Sequence, residues 1–495
     1  MRQVTHWING KPWSGSAARQ GDIFDPSTGE VQARVDFATP AEVDLAVQAA
    51  AAAWPAWREA SLTRRVGILF RFRELLVTHR EELIGLVSGE HGKVRADAAG
   101  ELDRGIEVVE FACGIPHLLK GEYSQNVSTH VDTYSVRHPL GVVAGITPFN
   151  FPSMVPMWMF PLAIACGNTF VLKPSEKDPS ASVRLAELLA DAGLPDGVFN
   201  VVHGDKVAVD AVLTHPGVAA VSFVGSTPIA RHVYETATRH GKRVQALGGA
   251  KNHMLVLPDA DLDVAADAAV SAGYGSAGER CMAISVVVAV DPVGDELVSR
   301  IRDRAERLKA GPGTDASSEM GPLVTGPHRD RVASYLNPDK TAGAEVVLDG
   351  RGLRVPGREG GFWLGPSLVD KVTPGTPVYD DEVFGPVLCV VRAPSFDKGL
   401  SIINANPYGN GEAIFTSDGG AVRRFEAEVS AGMVGVNVPI PVPMSFYSFG
   451  GWKNSLFGDL HIYGPDGVRF YTRGKVTTSR WKEPAGVNLL FPTNT

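Results

Sequence analysis

The chain has 495 residues, with 47 Lys plus Arg against 55 Asp plus Glu and a formal net charge of −8. At roughly 100–200 residues per domain the length predicts two to four domains, and apolar and charged fractions of 44% and 21% exclude extended disorder. The acidic balance argues against a general nucleic-acid binder while leaving local basic pockets open.

Met1 to Trp13 has no continuous apolar core, so no signal peptide is expected, and Asn9-Gly10 between short apolar runs predicts a hairpin. An alanine-rich helix is expected over 41–53, stopping near Pro55, followed by an amphipathic helix over 63–86. Leu102, Ile106, Val109 and Cys113 form the buried stripe of a further helix. Leu140 to Leu172 carries no charge and is long enough to span a bilayer. Pro148, Pro152, Pro156 and Pro161 would break such a span, so buried strand, loop and helix is the better reading, with no membrane partner.

From there the texture alternates. Strands are expected over 141–146, 169–172, 198–202, 219–224 and 253–257, with helices over 182–192, 206–213 and 228–239. This βα alternation predicts a doubly wound parallel sheet, and a second series (strand 284–290, helix 296–308, strand 387–391) predicts a second α/β domain. The last fifty residues, rich in glycine, proline and aromatics, are expected to cover another surface, such as a partner subunit.

Four cysteines, Cys113, Cys166, Cys281 and Cys389, are too scattered for a disulfide framework or a thiolate metal site, which points to a reducing, cytoplasmic setting and no bound metal. Cys281, in the segment GSAGERCM, stands beside Arg280, whose charge would favour the thiolate; from spacing alone a structural cysteine and a nucleophile both stand. Asn150, in PFNFP at the carboxyl end of the first strand, is either a turn residue or an amide aimed at a developing oxyanion. Lys173-Pro-Ser-Glu176 and Gly225-Ser226 lie at the ends of two further strands, the second opening a helix whose free amides suit a pyrophosphate. Without G-x-G-x-x-G this is a weak dinucleotide fingerprint, and either piece could be an ordinary turn.

Taken in order, PFNFP at 148–152, KPSE at 173–176, FVGS at 223–226, GERC at 278–281 and EVFGPV at 382–387 resemble the aldehyde dehydrogenase superfamily over almost the whole chain. The resemblance implies an α/β fold: a doubly wound cofactor domain (1–119 and 139–249), an α/β catalytic domain (250–440), and a strand-rich oligomerisation arm with the C-terminal segment (120–138 and 441–495). It makes Cys281 the nucleophile and Asn150 an oxyanion donor. Thr147, Phe149, Lys173, Glu176, Lys177, Gly225, Ser226, Glu382 and Phe384 would line the cofactor site. A carboxylate on the ribose hydroxyls favours NAD over NADP. A homo-oligomer is implied, a tetramer rather than a dimer.

One departure is informative. Hydrolytic members carry Glu-Leu-Gly-Gly-Lys upstream of the nucleophile, and its glutamate activates water. Here the segment reads QALGGAKNH, and the glutamate's register falls on Leu247 or Ala246, depending on whether it is taken from Cys281 or from Gly248-Gly249. Loss of a general base typically costs ~10²–10⁴-fold, enough to spare a thioacyl enzyme for a better nucleophile; Glu279 is a remote substitute. The departure resembles the coenzyme A-acylating methylmalonate-semialdehyde dehydrogenase branch, which also matches GAKNH at 249–253, ERCMA at 279–283, FNFPSMVP at 149–156 and FGGWKNS at 449–455. In that branch two arginines serve the substrate carboxylate, implying Arg104 and Arg280 here, although a solvated Arg104 and an ion-paired Arg280 are the plainer readings. The implied reaction is NAD-dependent oxidation of methylmalonate or malonate semialdehyde to propionyl-CoA or acetyl-CoA with loss of CO₂. Coenzyme A would be co-substrate. Hydrolytic and non-decarboxylating acylating dehydrogenases are the alternatives.

Overall fold

The computed structural model describes residues 1–16 and 19–481; the end of the expected C-terminal segment, 482–495, lies outside the described residues. Five parallel strands form the centre of an eight-stranded sheet, in the order Arg243–Leu247, Val218–Val224, Val142–Ile146, Thr169–Lys173 and Phe199–Val201. The chain enters at Val142–Ile146, builds outward to Phe199–Val201, then returns to the other side of its first strand. That reversal leaves a crevice beyond the carboxyl ends of Ile146 and Val224, where ligands bind in open α/β sheets.

Both faces of this sheet are covered, which is why its strands are apolar throughout rather than alternating. Val143, Phe170 and Leu172 face one core with the helix Met154–Ala165, while Val142, Ala144, Ile146 and Val171 face another with Ala46, Val47 and Ala50. The uncharged stretch is therefore strand, loop, a 12-residue buried helix and strand. Among the described residues no helix is long and apolar enough to cross a membrane.

A second sheet runs Glu345–Leu348, Ser367–Asp370, Val387–Ala393, Ile284–Val290, Asn252–Val256, Gly411–Phe415 and Met433–Val436, parallel except for its first strand. It surrounds its own apolar core. The strand-rich arm is a three-stranded antiparallel sheet, Thr472–Arg480, Val131–Pro139 and Tyr123–Ser128.

The hairpin at Asn9-Gly10 joins His6–Ile8 to Lys11–Trp13, and both turn residues have positive φ, as the tight two-residue turn of twisted strands requires. Two helix expectations are corrected. The first helix does not stop near Pro55 but spans Pro40–Glu59. Pro55 and Ala51, whose carbonyl loses its amide partner, are both exposed, so the freed group is on the solvent side of the helix and is not stranded in the core. Continuation buries Trp57, which donates to the Ile164 carbonyl at 3.2 Å. The expected helix over 63–86 is two helices, Leu62–Thr78 and Arg80–His91, broken at His79. Each half buries its own apolar face, so the periodicity runs through the break. Helix Arg95–Cys113 buries Leu102, Ile106, Val109 and Cys113 as expected.

Candidate active site

Cys281 lies between the 3₁₀ turn Gly275–Gly278 and the strand Ile284–Val290. Ser276 and Ala277 in that turn are left-handed (φ 54° and 51°), a conformation costing about 1–2 kcal/mol for each side-chain-bearing residue. The surroundings impose it. Asp97 accepts the Ser276 amide at 2.9 Å, and the Cys281 carbonyl is pinned by Asn252 Nδ2 at 2.9 Å and Asn410 Nδ2 at 3.3 Å. Asn252 also donates to the Ala283 carbonyl at 2.9 Å, so one side chain ties down the peptide after Cys281 and the peptide after Ala283.

Cys281 faces two hollows. One, of about 410 Å³, is lined by apolar Phe151, Met154, Trp158, Ile440 and Phe449, with Arg104 and Arg280 in its wall. The other is narrow and lined by Cys281, Arg280, Glu382 and Phe384. The thiol is pushed up to about 12 by burial and then by the Glu382 carboxylate, against which the Cys281 and Met282 amides and Arg280 pull down. Arg280 does favour the thiolate, as expected, but weakly: one arm of its guanidinium is bound to Asp97, at 2.5 Å, and it has the smallest named effect on the sulfur.

Asn150 is 3% exposed, and among the described residues its side-chain amide makes no hydrogen bond, although its neighbours are tightly held. The Asn150 carbonyl accepts from Lys93 Nζ at 2.7 Å, and Lys93 lies 4.3 Å from the Phe151 ring centroid. Lys93 also pairs with Glu101 at 2.7 Å, both side chains fully buried. The second oxygen of Glu101 accepts the Ser153 amide and hydroxyl and the Met154 amide, satisfying donors at the start of helix Met154–Ala165. This network fixes the loop carrying Asn150.

The expected cofactor residues gather at the crevice. Thr147 donates its amide to the Lys173 carbonyl at 3.1 Å, while its hydroxyl is buried without a partner. Lys173, nearly buried at its strand end, faces Glu176 at 3.4 Å. Ser226 caps helix Thr227–Arg239 by position, yet its side chain bonds none of the helix amides, leaving them for an anion. A side chain at Gly225 would collide with the Phe223 ring, and one at Gly249 with the Glu382 carboxylate. Glu382 accepts the Ala250 amide at 2.9 Å; burial pushes it up to about 7, with the Ala250 amide, Lys251 and Arg331 opposing. Phe149 packs edge-on against Phe384 at 5.8 Å with Lys177 Nζ 4.3 Å from its ring centroid. An orphaned hydroxyl, an uncapped helix start and bare glycines fit a dinucleotide.

At the register of the hydrolytic glutamate the residues are apolar and buried. Ala246 packs with Val221 and Phe223, and Leu247 belongs to the core against which Cys281 rests. Glu279 lines neither hollow. It turns to the Val324 amide and His328, and burial pushes it up to about 8. Arg104 is part-exposed but does not project freely into solvent: it pairs with Glu107 at 2.7 Å and donates to the carbonyls of Pro443 and Val442. Sequence reasoning missed Lys93, Glu101, Asp97 and Asn410. Asn252 fell inside the matched GAKNH segment without a role.

Residues 13–477 match the model of the aldehyde dehydrogenase family, and the chain belongs to that family. It is 56% identical to a malonate-semialdehyde dehydrogenase of Pseudomonas aeruginosa over 98% of both chains, and 50% identical to malonate-semialdehyde dehydrogenase 3 of Geobacillus kaustophilus over 97% of this chain and 99% of the relative. Among solved structures it superposes on the methylmalonate-semialdehyde dehydrogenase DddC of Oceanimonas doudoroffii with TM-score 0.96 at 54% identity. A methylmalonate-semialdehyde dehydrogenase-type chain of Sinorhizobium meliloti 1021, complexed with NAD, gives TM-score 0.96 at 52% identity. Each alignment covers 98% of this chain and 99% of the other.

Proposed function

We propose that the chain oxidises malonate or methylmalonate semialdehyde with NAD and transfers the acyl group, after loss of CO₂, to coenzyme A. The observation that carries this reading is the cavity at Cys281: two guanidiniums stand in its wall while apolar Ala246 and Leu247 fill the register of the hydrolytic base. Fixed guanidiniums suit a substrate that carries a carboxylate beside its aldehyde. The semialdehyde-acting relatives support the same substrate class.

In this mechanism Cys281 sulfur adds to the aldehyde carbon, and the Asn150 amide with the Cys281 backbone N–H stabilises the oxyanion. Lys173 and Glu176 hold the adenosine ribose, Gly225-Ser226 the pyrophosphate and Glu382 the nicotinamide ribose, with Thr147, Phe149, Lys177 and Phe384 completing the walls. NAD bound there supplies the two-electron acceptor that makes the Cys281 adduct a thioester. Apolar Leu247 leaves water unactivated, so the thioester persists until a thiol takes the acyl group. A carboxylate β to the thioester carbonyl departs as CO₂, leaving its electron pair as an enolate that a proton then quenches.

The two sheets and the arm support a division into an NAD-binding unit (1–119 and 139–249), a catalytic unit (250–440) and an association arm (120–138 and 441–495). A cytoplasmic homotetramer is part of the same proposal. The deciding assay supplies NAD and malonate semialdehyde with and without coenzyme A. The reading expects one NADH per active site without coenzyme A, then turnover with stoichiometric CO₂ and acetyl-CoA when it is added. Repeated turnover to free acid without coenzyme A would sink it.

A further inference from the structure

The ion pair between Asp97 and Arg280 sits in the wall of the Cys281 cavity. Of the four charged residues lining that cavity, Glu101 is committed to Lys93, and Arg104 to Glu107 and two backbone carbonyls. Arg280 differs. Only its Nη2 is engaged, on Asp97 Oδ1 at 2.5 Å, and among the described residues its other N–H groups have no acceptor. The guanidinium lies on the bare face of Gly275, where any side chain would meet it, so its position is set by backbone packing. The other oxygen of Asp97 holds the Ser276 amide, so Asp97 cannot swing away freely. Both side chains are about one-fifth exposed, at the border of the cavity and a second hollow that reaches Arg307.

A substrate carboxylate that reaches Arg280 therefore meets a guanidinium already half-neutralised, with a fixed internal carboxylate beside it. We propose that Asp97 is a specificity-determining residue that keeps Arg280 only partly available, so that the substrate carboxylate is held loosely and leaves readily as CO₂. The inference rests on the semialdehyde reading above. Its physical basis is charge migration: as the bond between carboxylate carbon and α-carbon breaks, its electron pair moves to the α-carbon and on to the thioester oxygen, and neutral CO₂ departs. A full salt bridge would stabilise the carboxylate before that step and lose its grip during it, raising the barrier. A neighbouring anion does the reverse.

Asp97→Asn removes the charge and keeps an oxygen for the Ser276 amide; Asp97→Ser is a second neutral variant should the first misfold. Malonate semialdehyde and propanal are compared as substrates, with NADH and CO₂ followed in the same transients. In Asp97→Asn the ratio of the KM for semialdehyde to that for propanal is expected to fall about fivefold, on the order of 1 kcal/mol by the tenfold-per-1.4 kcal/mol conversion. CO₂ release is expected to lag NADH formation by a similar factor. An unchanged or raised ratio, or CO₂ that keeps pace with NADH, overturns the inference. Failure of the underlying reading is separable: there the unmodified enzyme shows no preference for semialdehyde, and Arg280→Gln impairs both substrates alike.

Discussion

Removing the Lys93 ammonium tests whether the loop of Asn150 is held by a buried ion pair. In Lys93→Met a carboxylate is left behind, since Lys93 Nζ and Glu101 Oε2 stand 2.7 Å apart with neither side chain exposed. The Ser153 and Met154 donors remain but carry no full positive charge. Stranding one partner of a buried pair costs about 3–5 kcal/mol. Glu101→Gln alone strands the ammonium, although the Asn150 carbonyl and the Phe151 ring soften the cost to about 2–3 kcal/mol. The double variant strands neither charge, and the glutamine oxygen still accepts the Ser153 and Met154 amides. Its loss should fall short of the summed single losses by about 2 kcal/mol, within the range of coupled neighbours. Urea unfolding of the four proteins, at matched m-values, measures the cycle. The same proteins report on position, because a displacement near 1 Å can cost about 10²-fold in rate. The acylation rate of Lys93→Met should therefore drop at least tenfold, with little change in aldehyde KM. Additive stability losses, or an unaltered acylation rate, would refute the idea that the pair holds the Asn150 loop.

Asn150→Ala should lower the rate of the NADH burst about 10²–10³-fold, the usual cost of one oxyanion donor; a burst within threefold of wild type would remove Asn150 from the chemistry. Glu382 is the leading charge that raises the Cys281 thiol, so Glu382→Gln should speed alkylation of Cys281 by iodoacetamide at fixed pH, and equal or slower alkylation would contradict that electrostatic reading. Glu279 keeps its proton to about pH 8 in the folded chain, against an ordinary value of 4.5. The folded state then binds more protons than the unfolded one, so Glu279 draws stability down as pH rises through that window. The stability of wild type minus that of Glu279→Gln should fall between about pH 5 and about pH 8; a flat difference shows that Glu279 is ionised throughout.

What the sequence disclosed and what it hid divide along the range of the interaction. Strand 142–146 and its neighbours were legible because a parallel sheet covered on both faces needs continuous apolar runs, and Asn9-Gly10 because a two-residue turn demands two positive φ angles at fixed places. The helix over Pro55 was hidden, since its continuation depends on Ile164, more than a hundred residues away, accepting from Trp57. The break at His79 was hidden for the opposite reason: both halves bury apolar faces, and periodicity carries no mark of a kink. The site repeats this division. Cys281, Asn150 and Glu382 stand in short ordered segments and could be nominated from the chain alone, whereas their holders are joined only by folding. Lys93 meets Asn150 across 57 positions, Asp97 meets Arg280 across 183, and Arg104 meets Val442 across 338.

That division bears on Arg280. Its position beside Cys281 suggested a cation for the thiolate, but adjacency in sequence fixes neither direction nor partner. Once folded, its charge is offset by Asp97, while Glu382, a hundred residues downstream, dominates the charge effect on the sulfur. Burial first, and the Glu382 carboxylate after it, push the thiol of the protein alone up, and whatever screens or displaces that carboxylate shifts Cys281 toward its reactive form. Since the expected nicotinamide ribose site is that same carboxylate, occupancy of the crevice and nucleophilicity of the cysteine are coupled through one side chain. NAD should thus raise the alkylation rate of Cys281 in the wild type and raise it much less in Glu382→Gln. An equal acceleration in both would break the link between the two hollows.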